Sequence, residues 1–154
     1  MHKQPNSRMC FICGLQNPIG LKLAFYEDRE ADLVRAEFTI PEEYQGYPGV
    51  VHGGIVSAIL DEIAGRAVML RGSDDDLMAT LRLNVRYRRP TPTGTPLSAV
   101  AWVEQTSGVG ARAAAEIRLS SGVVTAECEA LLAPPPEEFI ARWEPEKPYW
   151  KVYE

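Results

Sequence analysis

An α+β fold, in which a curved antiparallel sheet wraps around one long helix, is what the sequence predicts, on three observations. Apolar residues recur with period two in six separate segments, the mark of half-buried strands. Between the second and third of these the period changes to about four, the mark of a helix. Hairpin-length turns separate the last four strands, so the order β-β-α-β-β-β-β is not the βαβ alternation of nucleotide-binding folds.

The first twenty residues are polar, contain Pro, Asn and Gly, and read as loop. Leu21, Leu23 and Phe25 alternate with Lys22 and Tyr26, and Val34, Ala36, Phe38 and Ile40 alternate with Arg35, Glu37 and Thr39; each set predicts a strand. After turn-like residues 41–53, Ile55, Ile59, Ile63 and Ala67 fall four apart, as do Val56, Leu60, Ala64 and Val68. That predicts a helix from about Gly54 to Arg71, apolar over most of its circumference and therefore largely buried.

Gly72-Ser73-Asp74-Asp75-Asp76 ends the helix, and Leu81, Leu83, Val85 and Tyr87 then form one face of the clearest strand. Thr80, Arg82, Asn84, Arg86 and Arg88 form its other face. Three more strands follow, at Leu97–Glu104, around Ala113–Leu119 and around Val124–Ala130, before Pro134-Pro135-Pro136 stops the sheet. The expected divisions are a loop over residues 1–20, a domain over 21–134 and a tail over 135–154. Phe139, Ile140, Trp143, Tyr149, Trp150 and Tyr153 make that tail apolar enough to pack on the domain or on a neighbouring subunit.

At 154 residues the chain fits one domain that needs no disulfide or metal to hold together. The net charge of −5 and the lack of a long basic run argue against a nucleic-acid partner. No stretch approaches the ~18 apolar residues of a membrane span. Met1–Asn6 carries no apolar run of a signal peptide, and three cysteines cannot all pair, so reduced thiols in the cytoplasm are expected.

The segment Gly49–Glu62 carries the chemistry. Gly53-Gly54 opens the helix where free N–H groups favour negative charge, so it suits either an oxyanion site or simply a tight entry turn. Asp61 stands mid-helix among Ile59, Leu60, Ile63 and Ala64, with Gly65 four residues on and hence no helical ion-pair partner. Such a carboxylate is a candidate base or nucleophile. Glu62 differs, because Arg66 follows at i+4 and a structural ion pair accounts for it.

His52 is placed to orient a ligand or brace the loop, with no triad spacing around it. Cys10-Phe11-Ile12-Cys13 has no second pair, and only His2, His52 and Cys128 remain as sulfur or imidazole donors, so neither metal nor cofactor is expected. Arg86, Arg88 and the adjacent Arg89 offer cations either to a phosphate-bearing ligand or to solvent.

His52-Gly53-Gly54 with Asp61 nine positions after the histidine resembles the PaaI-like branch of hotdog thioesterases. So do Asn84-Val85-Arg86-Tyr87-Arg88-Arg89-Pro90 and the opening Cys10-Phe11-Ile12-Cys13-Gly14 with Asn17-Pro18-Ile19-Gly20-Leu21. The resemblance runs from about residue 10 to 133. It implies a hotdog fold and hydrolysis of an acyl-CoA thioester, with the Gly53 N–H as oxyanion donor, Asp61 as base or nucleophile and Thr80 assisting it. Gly54 and the arginines would then contact substrate. Some relatives carry an asparagine six residues before the histidine; here that position is Gly46, with Gln45 beside it. A catalytically weak acyl-CoA binding or sensing module is therefore the alternative. A dehydratase would want a histidine after an aspartate, and none follows His52.

Gly53 and Asp61 stand eight residues apart, about 12 Å along a helix. Two groups that far apart cannot both meet one carbonyl carbon at a reacting distance of roughly 3–3.5 Å. A shared site between two chains is expected, in a homodimer or, as hotdog proteins often assemble, a homotetramer built as a dimer of dimers.

Overall fold

A computed structural model describes all of residues 1–154. Strands β1 (His2–Lys3), β2 (Tyr26–Asp28) and β3 (Leu33–Phe38) precede helix α1 (Gly53–Met69). Strands β4 (Ala79–Tyr87), β5 (Leu97–Ser107), β6 (Gly110–Leu119) and β7 (Val124–Ala133) follow, and α2 (Glu137–Trp143) leads the tail. The seven strands make one sheet in the order β1-β2-β3-β5-β6-β7-β4, antiparallel throughout. This is the predicted α+β hotdog arrangement, with α1 packed across β5, β6, β7 and β3.

The inner face of the sheet is built from small residues. Ala99, Ala101, Ala113, Ala115, Ala126 and Ala130 are all buried beneath Ile59, Leu60 and Ile63 of α1. Alanine on the sheet lets the helix approach closely, and the branched residues on the helix fill the space between.

Three local differences from the sequence reading have physical causes. The segment around Leu21–Phe25 buries Leu23 and Phe25 but joins no strand ladder, because the Leu21 and Leu23 N–H groups bond instead to Phe11 O and Ile12 O. The N-terminal residues supply that partner, and they also contribute β1, which pairs with β2. The helix ends at Met69, since the Leu70 and Arg71 N–H groups reach back only three residues, to Ala67 O and Val68 O.

The third difference lies in β4. A bulge between Thr80 and Arg82 sets Thr80 opposite Leu132 and Arg82 opposite Leu131. The extra residue, Leu81, is turned out and 66% exposed, whereas the simple alternation places it inward with Leu83, Val85 and Tyr87. A bulge re-aims side chains near itself. Here it turns the Thr80 hydroxyl toward α1.

The tail packs on the chain's own N-terminal segment. Lys151 bridges to Asn6, Arg8 pairs with Glu146 at 2.8 Å, and Trp150 Nε1 donates to Asp74 O at 2.8 Å. No helix is long and apolar enough to cross a membrane.

Candidate active site

The entry to α1 is fixed by side chains on both sides. His52 is the N-cap; its Nδ1 accepts the Gly54 N–H at 2.9 Å, and its own N–H bonds to Tyr44 O. Imidazole thus takes the part that Ser or Asp commonly plays at this position. Gly54's amide is consumed by that cap, so it has no free donor for a ligand. The Gly53 N–H has no partner within the chain. Tyr87, at the end of β4, donates to Gly53 O at 2.7 Å, and its oxygen lies 2.5 Å from Ser57 Oγ, which is left to donate. A shallow cavity of about 370 Å³ fronts Gly53, lined also by Gly46, Tyr47, Val50, Val51 and His52. Gly46 lies against His52, and the Gln45 side chain accepts the Gly49 N–H at 3.2 Å in the adjoining turn.

Two turns on, Asp61 is half-buried, and Thr80 Oγ1 donates to its Oδ1 at 2.7 Å. Asp61 and Thr80 open into a second cavity, of about 140 Å³, whose walls include Gly65, Met69, Leu77 and Met78. Gly65 follows Asp61 by one turn and leaves this space unfilled. Gly53 and Asp61 therefore belong to separate cavities of one chain.

Glu62, beside Asp61, lines the same cavity but is engaged in an ion pair. Arg66 Nε donates to its Oε1 at 2.9 Å, the i,i+4 pair the sequence predicts. The pair is not a surface one, for the Arg66 side chain is only 3% exposed. Its guanidinium lies 4.3 Å from the Phe25 ring centre and 5.3 Å from that of Trp150, and Nη1 donates to Pro5 O at 2.8 Å. Sequence spacing reveals the pair but not this burial, because the covering residues come from both ends of the chain.

The arginines lie elsewhere. Arg86 points to the outer face of the sheet, where it lines a cavity of about 390 Å³ with Glu104, Glu116, Glu127 and Glu129. Arg88 donates to Glu127 at 2.7 Å, which holds that carboxyl below its usual range. Arg89 is exposed. The fold does not bring these side chains to Gly53 or Asp61, and the four carboxylates make the outer cavity a poor seat for phosphates. Ser57 and Tyr87 are the site residues that the sequence reading missed. The signal was available: Ser57 falls midway between Gly53 and Asp61 on one i+4 row.

A long helix packed on an antiparallel sheet, opening on an unpartnered glycine amide and carrying a hydroxyl-bonded aspartate, defines a hotdog protein with a candidate catalytic carboxylate. A profile of the thioesterase superfamily matches residues 48–126, just over half of the chain, and the protein belongs to that superfamily, with the hotdog fold. The acyl-coenzyme A thioesterase THEM4 of Rattus norvegicus is 28% identical over 90 residues, 58% of this chain but only 37% of the rat protein. A solved thioesterase superfamily protein shares 30% identity with a TM-score of 0.75, covering 82% of this chain and 63% of that one. A phenylacetic acid degradation-related protein from Ralstonia eutropha shares the fold at 24% identity and a TM-score of 0.65, covering 73% of this chain and 85% of its own.

Proposed function

We propose that the protein hydrolyses an acyl-CoA thioester to the free acid and CoA. The observation that carries this reading is the Asp61 carboxylate, half-buried, held by Thr80 and open to a cavity. The free Gly53 N–H polarises the thioester carbonyl and stabilises the oxyanion that forms on it. Asp61 either takes a proton from the attacking water or attacks the carbonyl carbon itself. By either route one water is consumed, the C–S bond breaks and the thiol leaves. Thr80 donates to the Asp61 oxygen that is not engaged in the attack.

The two cavities support a site shared between subunits. Paired about a two-fold axis, two copies of α1 would set the Gly53 cavity of one chain against Asp61 of the other, in a homodimer or dimer of dimers. Arg89, exposed and uncommitted, is the arginine best able to meet CoA phosphates, whereas Arg88 is already bound to Glu127.

Free-thiol release from a small acyl-CoA panel tests the reading. Asp61→Asn keeps the size and removes the charge, and kcat should fall at least ~10²-fold with acyl-CoA still bound. Loss of turnover in Glu62→Gln with Asp61→Asn unaffected would move the base to the other carboxylate. Wild-type protein that binds acyl-CoA but never releases thiol would be a binding module, the reading that Gly46 favours. Sedimentation as a monomer at micromolar concentration would remove the shared site.

A further inference from the structure

We propose that Cys10, Cys13 and Glu62 form a site for a thiolate-preferring divalent metal, zinc by chemistry, that ties the N-terminal turn to α1. Counting only sulfur and imidazole donors along the sequence leaves this CxxC one pair short. The fold supplies a third donor from another element, and it is a carboxylate. The two sulfurs and a Glu62 oxygen all lie within 4.8 Å of one another. Cys10 Sγ is 3.7 Å from Glu62 Oε2. Bonds of about 2.3 Å to sulfur and 2.0 Å to oxygen at a tetrahedral angle put two such ligands roughly 3.5 Å apart.

The surroundings are those of thiolates and an oriented carboxylate. The Ile12 and Cys13 N–H groups point at Cys10 Sγ, at 3.3 and 3.5 Å. Ser7 Oγ accepts the Cys10 N–H at 3.2 Å, which leaves its own proton to donate to Cys13 Sγ at 3.3 Å. Gly14 closes the turn by bonding to Cys10 O at 2.8 Å, and any Cβ at that position would lie 2.5 Å from Cys10 backbone atoms. Arg66 occupies Glu62 Oε1 and leaves Oε2 for the metal, an outer contact that fixes the ligand's orientation.

Charge balances without any other change. Two thiols give up their protons to solvent, one dication takes their place, and two metal–sulfur bonds and one metal–oxygen bond form. The buried Arg66 cation keeps a neutral neighbourhood before and after. Cys10 is the half-exposed member of the two cysteines, so its side is the one open to a solvent ligand. Cys128 takes no part: it lies in the core with its sulfur 3.8 Å from Leu60 O, and burial pushes its thiol up to about 12.

The test is metal analysis of the full-length protein purified under reducing conditions, followed by chelation and titration with zinc or cobalt(II). About one zinc per chain is expected, with about two protons released per metal bound near pH 8. The cobalt form should show thiolate-to-cobalt charge-transfer absorption in the near ultraviolet. Cys10→Ser and Cys13→Ser should abolish or halve that absorption, and Cys128→Ser should leave it intact. Glu62→Gln should keep the band and weaken binding at least ~10-fold. Because a cysteine variant can fail to fold, proton release and metal protection of thiols from alkylation are read on the wild type as well. Reduced wild-type protein that binds cobalt with no charge-transfer band overturns the proposal. So does a Cys10–Cys13 disulfide found in the freshly purified protein in place of metal.

Discussion

Two neighbouring rows of helix α1 have opposite fates. One row, Gly53, Ser57, Asp61 and Gly65, faces edge strand β4, and its partners are two hydroxyls, those of Tyr87 and Thr80. The other, with Glu62 and Arg66, lies under residues from both chain ends: Pro5, Cys10, Phe25 and Trp150. The first row keeps an unpartnered amide and a carboxylate beside open space. The second turns a similar carboxylate into an ion-pair partner of a buried arginine. Position on a helix does not decide what an acidic residue does; the elements that cover its row decide it.

The largest effect that separates the rows is expected at Arg66. Removing one partner of a buried ion pair strands the other and destabilises by about 3–5 kcal/mol. Glu62 is 24% exposed and recovers some hydration, so about 3 kcal/mol is expected for Arg66→Met. For a domain of this size that lowers Tm by roughly 6–12 °C. Thermal unfolding of chelator-treated protein keeps the result separate from any metal. An unchanged Tm would mean that the covered row is no tighter than the open one.

How much of this was legible in the sequence follows the same division. The i+4 apolar spacing of Ile59 and Ile63 and the alternation in β5 to β7 depend on neighbours along the chain, and they give the helix and the sheet directly. The spacing of His52, Gly53 and Asp61 marks the open row for the same reason. The bulge at Leu81 leaves no local sign, since Thr80-Leu81-Arg82-Leu83 reads as unbroken alternation. Only the pairing with Leu131 and Leu132 reveals it, and that pairing is about fifty residues distant. Nor does anything near Cys10 point to Glu62, or near Arg66 to Trp150. Contacts between distant segments give a chain its specific site, and periodicity does not record them.

A smaller effect is expected on the open row. Thr80→Val keeps the shape of an exposed residue, so stability should change by no more than about 0.5 kcal/mol. The lost hydrogen bond is exposed, so water recovers most of the about 1.5–3 kcal/mol that a bond to a charged group contributes when buried. If that bond holds Asp61 in its working orientation, kcat should fall by ~10-fold or somewhat more while KM moves little. Thiol-release kinetics check this. A loss of stability with kcat intact would put Thr80 in the structural row instead.

The smallest effect on catalysis is expected at Tyr87, where the open row meets the end of β4. Its hydroxyl donates to Gly53 O and receives Ser57, and its ring lies beside the position a Gly53 Cβ would occupy. Tyr87→Phe retains the ring and removes both hydrogen bonds. Gly53 O still has its helical acceptor role, and Ser57 can turn to solvent, so no buried group is stranded. A loss of about 0.5–1 kcal/mol is expected, which is the net worth of an ordinary hydrogen bond. In a domain of this size it appears as a Tm lower by roughly 1–4 °C. Catalysis should respond through substrate placement: the first turn of α1 becomes looser, and the Gly53 amide meets the carbonyl less well in every state. KM should therefore rise a few-fold with kcat nearly constant, the pattern of lost uniform binding. A fall in kcat matching that of Thr80→Val would instead place the tyrosine hydroxyl among the groups that act only in the transition state, and the open row would then carry two such hydroxyls.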